Sequence, residues 1–424
     1  MYKVKSTLIA LLLAATTVCS YAQSILQAAP PASVKFSASR LQRIDQLMQE
    51  NVDKKLIAGA TALIARDGKI VYNKAFGYSD LEAKTAMRTS DIFRIASQTK
   101  AITSVAVMIL FEEGKFLLDD PISKFIPAFA KPQVLEKFNS KDSSYTTVPA
   151  KREITIRDLL THTSGIDYAV IGGGNMKAIY DKKNVIPGFG SEGMFLRDEM
   201  IKLAGAPLSH NPGERYTYGL NTDVLGYLVE VVSGLSLDRF FSDRIFKPLG
   251  MNDTYFYLPA SKHSRLVPVY TYDSENRLVK YLKEGTMTAN YPTFKGTYFS
   301  GGAGLSSTTY DYAVFLQMLL NGGTYNGNRI LSRRTIDLMT MNQIGDLTLW
   351  GGNKFGLGFE ITTQKGMANL GITEGSFAWG GYFSTTYWVD PKEKIVALIY
   401  TQQSPMRSDM QNKFKALVYQ SLND

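Results

Sequence analysis

The chain has 424 residues, 45% of them hydrophobic, 20% charged and 12% aromatic. That is globular composition on a length that suits one large domain or two intimate ones, and it excludes a disordered, collagenous or coiled-coil protein. Its 47 Lys and Arg against 38 Asp and Glu give a formal charge of +9, scattered without a basic run, which excludes a nucleic-acid footprint. Three histidines and one cysteine leave a Cys/His zinc site, an iron–sulfur cluster and a disulfide framework without ligands.

Residues 1–22 read as a secretory signal peptide. Lys3 and Lys5 supply the positive end, an apolar run over 8–15 follows, and Ser20-Tyr21-Ala22 offers small residues where a signal peptidase reads, so the expected cut precedes Gln23. The apolar run is too short to span about 30 Å of hydrocarbon, and no later segment is apolar for about 18 residues, so no stable membrane insertion is expected. Val18 is a poor neighbour for lipidation at Cys19. The expected product is an unlipidated exported protein, periplasmic or secreted.

Residues 23–38 read as a linker containing a short Ala/Pro stretch, and the domain proper is expected over 39–424. An amphipathic helix begins near Ser39, its expected cap, with Leu41, Ile44, Leu47 and Met48 on one face. The runs 61–64 and 70–72 flank Asp67-Gly68, a dipeptide suited to a type I′ hairpin turn. Ile102, Val105, Ala106, Ile109 and Leu110 keep helical spacing with few charges, which predicts a helix buried on most sides. From 117 to about 291 helical stretches alternate with Pro- and Gly-punctuated loops, 224–232 and 237–246 being the clearest helices. Gly301, Gly302 and Gly304 then precede a helix over 310–320. Strands are expected over 383–389 and 395–400, joined through Asp390-Pro391-Lys392, and an amphipathic helix over 409–422 closes the chain. Strands near both ends with a helical middle predict an α/β (α+β) fold: an antiparallel sheet built from both chain ends and flanked by helices (39–116 and 296–424), with a mostly helical lobe inserted over 117–295.

The chemistry centres on Ser97-Gln98-Thr99-Lys100, the only Ser-x-x-Lys in the sequence. In the first turn of a helix, residues three apart share a side, so Lys100 can reach the Ser97 hydroxyl. Unpaired N–H groups at a helix N-terminus suit a developing oxyanion, and a partly buried lysine with a depressed pKa can take the serine proton. Chance supplies about one or two such tetrads in a chain of this length. In isolation Ser97 is a helix cap and Lys100 a surface charge.

Context changes that reading. Leu159-Leu160-Thr161-His162-Thr163-Ser164-Gly165 follows about sixty residues on. Then come Pro212-Gly213-Glu214-Arg215-Tyr216-Thr217-Tyr218-Gly219-Leu220-Asn221, leading into Asp223-Val224-Leu225-Gly226, and finally Trp379-Gly380-Gly381 running into a strand. In order, spacing and flanks, from about Ser39 to the last helix, the chain resembles the serine β-lactamase and penicillin-recognising superfamily, in particular the class C β-lactamase-like carboxylesterases. The resemblance implies a β-lactamase/transpeptidase-like fold with Ser97 as nucleophile, Lys100 as its partner base and Tyr218 as the tyrosine that shares or relays the proton. It places Trp379, Gly380 and Gly381 in the third motif on a strand edge, and makes the Tyr382 N–H the second oxyanion donor beside that of Ser97. Two positions depart from class C β-lactamases. Leu220 stands where they carry an asparagine, with Asn221 one step later, and Trp379 replaces the lysine of Lys-Thr-Gly, whose cation meets the β-lactam carboxylate. Tyr-x-Leu and Trp-Gly-Gly fit the esterase branch.

Without the motifs, Tyr218 is one of 24 tyrosines and reads as packing, and Trp379 as plain core. No Gly-x-Ser-x-Gly elbow accompanies His162, which is expected to be a structural loop histidine, and His210 and His263 lie in loop-like stretches. The expectation is an exported serine hydrolase acting on small-molecule carboxylic esters, with no cofactor and no metal. Its rivals are a class C-like β-lactamase or D-alanyl-D-alanine peptidase of the same fold, and a non-catalytic binding or sensor protein. Oligomeric state is not legible.

Overall fold

A computed structural model describes residues 25–169, 171–189, 193–281 and 289–423. The expected signal peptide lies outside the described residues. The first described segment already departs from the expected linker. Leu26, Val34 and Phe36 are buried, and strand β1 (Gln27–Ala28) pairs in parallel with Lys69 and Ile70. The apolar residues between the small and proline positions anchor this stretch to the sheet.

Helix α1 (Ala38–Asp53) buries Leu41, Ile44, Leu47 and Met48, the face expected from spacing. Its cap is Ser37, not Ser39: Ser37 is extended and its side chain accepts from the Arg40 amide. Strands β2 (Gly59–Arg66) and β3 (Lys69–Asp80) meet at Asp67-Gly68, with φ of 51° and 73°. Two consecutive positive φ values are what a type I′ turn demands. From the other chain end come β4 (Lys354–Phe355), β5 (Glu360–Ile361), β6 (Phe377–Gly381), β7 (Thr385–Asp390) and β8 (Ile395–Tyr400). The sheet order is β1-β3-β2-β8-β7-β6-β5-β4, antiparallel throughout except for β1 with β3. Both chain ends therefore build one sheet.

Every residue of β2, β7 and β8 is buried because helices cover both faces. The strand period of two sorts them. Leu63, Ala65, Tyr387, Val396 and Leu398 face the core shared with helices α2 (Thr99–Glu112) and α4 (Thr309–Leu320). Ala62, Ile64, Trp388, Ala397 and Ile399 pack with α1 and α5 (Met410–Gln420). Helix α2 is buried on all sides from Thr99 to Leu110, as its sparse charge predicted. Between α2 and α4 lie helix α3 (Asn221–Ser233) and several shorter helices. Two hairpins there, Gln133–Asn139 with Ser144–Pro149 and Tyr270–Tyr272 with Leu278–Lys280, had no expectation from sequence. The expected helix over 237–246 is helical at Leu237–Phe241 and continues as a π turn at Ser242–Phe246.

Candidate active site

Ser97 sits on a single 3₁₀ turn, Ala96–Gln98, that runs into α2. Ala96 holds φ at 43°, a left-handed conformation that costs an alanine of order 1 kcal/mol. Buried bonds fix the turn: the Gln98 carbonyl accepts from Tyr312 Oη at 2.8 Å, and Thr99 Oγ1 accepts from the Leu305 amide at 3.1 Å. These bonds lock the start of α2 to α4 and to the glycine-rich loop before it.

Lys100, 2% exposed, donates to Ser97 Oγ at 3.4 Å, to Tyr168 Oη at 3.0 Å and to the Gly302 carbonyl at 2.8 Å. An ammonium has three protons to place, and here each has an acceptor. Burial presses the Lys100 ammonium downward, but the oxygens of Tyr168 and Tyr218 outweigh it and hold the group above the ordinary lysine range. This corrects the expected depressed value. The lysine is buried as anticipated, but not in apolar surroundings.

Gly302 is required by close approach. A Cβ there would stand 2.4 Å from Asp223 Oδ2, on the first turn of α3. Asp223 is fully buried and accepts from Ser300 Oγ at 2.7 Å and from the Gly302 amide at 3.4 Å. Burial raises its carboxyl above the usual carboxylate range. The peptide that donates to Asp223 thus presents its carbonyl to Lys100.

Tyr218 reaches the same place from a different loop. The short helix Ile156–Leu160 has a complete capping box between Thr155 and Asp158, and His162 follows it with φ of 56°. The Thr217 amide donates to the His162 carbonyl at 2.7 Å, and the Gly213 amide to that of Thr163 at 2.8 Å, zipping the two loops together. Asn221 donates to His162 Nδ1 at 3.0 Å and accepts from Ser164 Oγ at 2.5 Å. Asn221 is therefore spent inside the loops, and Leu220 is buried beside it. His162 is buried, packs at 4.8 Å between ring centroids on Tyr218, and is held well below its ordinary pKa by burial and then by the Lys100 charge. It is a neutral spacer under Tyr218. His210 bonds Thr217 Oγ1 and the Asn211 carbonyl, and His263 lies against the Leu258 carbonyl.

Lys100 Nζ lies 4.7 Å from the centre of the Tyr218 ring. Trp379 Nε1 donates to Tyr218 Oη at 3.4 Å, and the two rings are 5.4 Å apart. Trp379, Gly380 and Gly381 end β6 itself rather than leading directly into the next strand, which begins only at Thr385, after Ser384 turns through φ of 61°. The Gly381 backbone abuts the serine turn: a Cβ there would lie 2.4 Å from the Ile95 carbonyl oxygen. Tyr382, directly beyond the strand end, is half-exposed. Ser97, Lys100, Tyr218 and Trp379 are brought together, with Gly380 and Gly381 at the adjoining strand end. Sequence reasoning missed Tyr168, five residues beyond Thr163, and the Gly302 carbonyl. It also missed an aromatic series beyond Trp379, made of Phe355, Tyr216 and Trp350.

A hydroxyl on a strained turn, bonded to a buried ammonium at the head of the central helix, defines the class as serine hydrolase. The beta-lactamase family profile matches residues 44–420, and the chain belongs to that family. It is 30% identical over 387 residues to Esterase EstB of Burkholderia gladioli, covering 88% of this chain and 93% of that one. Protein Rv1367c of Mycobacterium tuberculosis is 33% identical over 370 residues, covering 84% and 89%. Among solved structures, EstCE1, "a hydrolase with promiscuous acyltransferase activity", superposes with a TM-score of 0.77 at 26% identity over 90% of this chain and 98% of that one. Among the described residues no helix is long and apolar enough to cross a membrane.

Proposed function

We propose that this protein is an exported serine hydrolase that cleaves neutral carboxylic esters through an acyl-enzyme on Ser97. Ser97 Oγ attacks the ester carbonyl, and its proton passes to the Lys100/Tyr218 pair. The Ser97 and Tyr382 amides hold the oxyanion. Because Lys100 rests as an ammonium, Tyr218 Oη is the atom that takes the proton, with the neighbouring charge favouring negative charge as it develops there. Tyr218 then gives the proton to the departing alkoxide, which leaves as the alcohol. Water attacks the acyl-enzyme by the reverse relay, releasing the acid and restoring the serine. No step calls for a cofactor.

The observation that carries the choice of substrate is the contact of Trp379 with Tyr218, an indole where a lysine would pair with an anionic substrate. A site that pairs buried charges loses roughly 2–5 kcal/mol when one partner is missing. The names of EstB and EstCE1 support ester chemistry. The test is a panel of p-nitrophenyl esters, a chromogenic cephalosporin and a D-Ala-D-Ala peptide. Neutral esters lead in kcat/KM by at least about tenfold. Faster turnover of the cephalosporin or the peptide than of every ester replaces the esterase reading with its rival. Lys3, Lys5 and the apolar run ahead of Ala22 support export. An N-terminus at Gln23 in the processed protein is the expected result, and a diacylglyceryl group on Cys19 would contradict it.

A further inference from the structure

Trp350 is 64% exposed, the second most exposed of the large hydrophobic side chains described. Its ring centroid lies 6.1 Å from that of Trp379 at 32°, and Tyr216 meets it edge-on at 6.3 Å. Phe355 closes the group at 5.3 Å from both Trp379 and Tyr216. Rings thus run continuously from Tyr218 through Trp379 to Trp350, from beside the reacting serine out to solvent.

The support for Trp350 is rigid. It begins a turn whose next residues, Gly351 and Gly352, have φ of 74° and 82°. The Leu349 amide donates to the Asn353 carbonyl at 2.9 Å, and Thr363 Oγ1 donates to the Gly352 carbonyl at 3.1 Å. Asn353 in turn donates to Glu360 Oε1 at 2.6 Å and accepts from the Thr363 amide at 3.2 Å. The nearby Lys354 ammonium is directed away, onto the Gly345 and Leu347 carbonyls at 2.7 and 2.8 Å. An indole held in water at the end of an aromatic series is a surface to which an apolar group adds directly.

We infer that Trp350 is a specificity-determining residue that packs against the alcohol portion of the ester, so that the enzyme selects esters of apolar, ring-bearing alcohols. The inference rests on the ester reading above. Its direction follows from the relay: Tyr218 protonates the departing oxygen, and Tyr218 is the inner end of the aromatic series. The alcohol therefore leaves along Trp379 and Trp350, while the acyl group stays on Ser97. Roughly 60 Å² of apolar area covered by such a group, at about 25 cal/mol for each Å², corresponds to about tenfold in kcat/KM.

The test uses the full chain, Trp350→Ala and Trp350→Phe on two substrate series. One holds the acyl group as acetate and varies the alcohol through ethyl, butyl, benzyl and 2-naphthylmethyl. The other holds ethanol as the alcohol and lengthens the acyl group from acetate to octanoate. The wild-type to Trp350→Ala ratio of kcat/KM is expected to be about tenfold larger for 2-naphthylmethyl acetate than for ethyl acetate, mostly in KM. Trp350→Phe recovers most of it, and the ratio stays level along the acyl series. A ratio that is level along the alcohol series, or that grows only with acyl length, overturns the inference while leaving the esterase intact. A wild-type protein that hydrolyses no member of either series removes both.

Discussion

On one side of Ser97 stand Lys100, Tyr168 and the Gly302 carbonyl, buried and joined by hydrogen bonds of 2.8 to 3.4 Å. On the other stand Trp379, Phe355 and Trp350, which touch ring on ring at 5.3 and 6.1 Å and end in solvent. Hydrogen-bond geometry fails over a few tenths of an ångström, so the polar side admits one arrangement. Ring contacts tolerate different shapes. The polar side therefore sets how fast any ester reacts, and the aromatic side sets which ester is preferred.

Substitutions separate the two roles. The largest effect is expected at the serine itself: Ser97→Ala lowers kcat on every ester by more than about 10⁴-fold, with an unchanged circular-dichroism spectrum. Gly302→Ala comes next. Its Cβ would stand 2.4 Å from Asp223 Oδ2, so the loop must shift and carry the Gly302 carbonyl away from Lys100. A displacement of about 1 Å near reacting groups costs roughly 100-fold, and steady-state assays should find that loss equal for small and bulky esters. An unequal loss would blur the division between the two sides.

Trp379→Lys acts on the aromatic side and should alter ranking. Restoring a cation beside Tyr218 is expected to narrow the ester-to-cephalosporin ratio of kcat/KM by about tenfold, a discount on the 2–5 kcal/mol of a buried pair. The smallest effect concerns stability. His162 is buried neutral, so its folded pKa lies well below its value of about 6.5 in the unfolded chain. Below that pH the unfolded chain binds a proton that the folded protein does not. His162 therefore costs stability as pH falls through 6.5 toward its folded pKa, by up to about 1.4 kcal/mol per pH unit. Urea denaturation between pH 7 and 5 should show a shallower loss in His162→Asn than in wild type.

The sequence made some of this visible and hid the rest for physical reasons. The β2–β3 hairpin was readable because Asp67-Gly68 suits only a few backbone shapes, and α2 because its apolar spacing lacks charges. Strand β6 went unread because two of its five residues are glycine, which strand propensity disfavours. Ser97, Lys100, Tyr218 and Trp379 were found because each sits in a short ordered motif. Tyr168 and Gly302 were not, because their contacts with Lys100 span 68 and 202 residues. The lysine's proton state followed the same pattern: local spacing suggested desolvation, and distant oxygens reversed it. Trp350 carried no motif at all, and only the turn that holds it beside Trp379 reveals it.

The central claim is a covalent acyl-enzyme on Ser97. The direct measurement is intact-protein and peptide mass spectrometry after incubation with a p-nitrophenyl phosphonate, a tetrahedral mimic that phosphonylates an activated serine. One phosphonyl group on the peptide carrying Ser97, absent from Ser97→Ala, is the expected result. Ester turnover by the wild type without any adduct, or with the adduct on another residue, would contradict it.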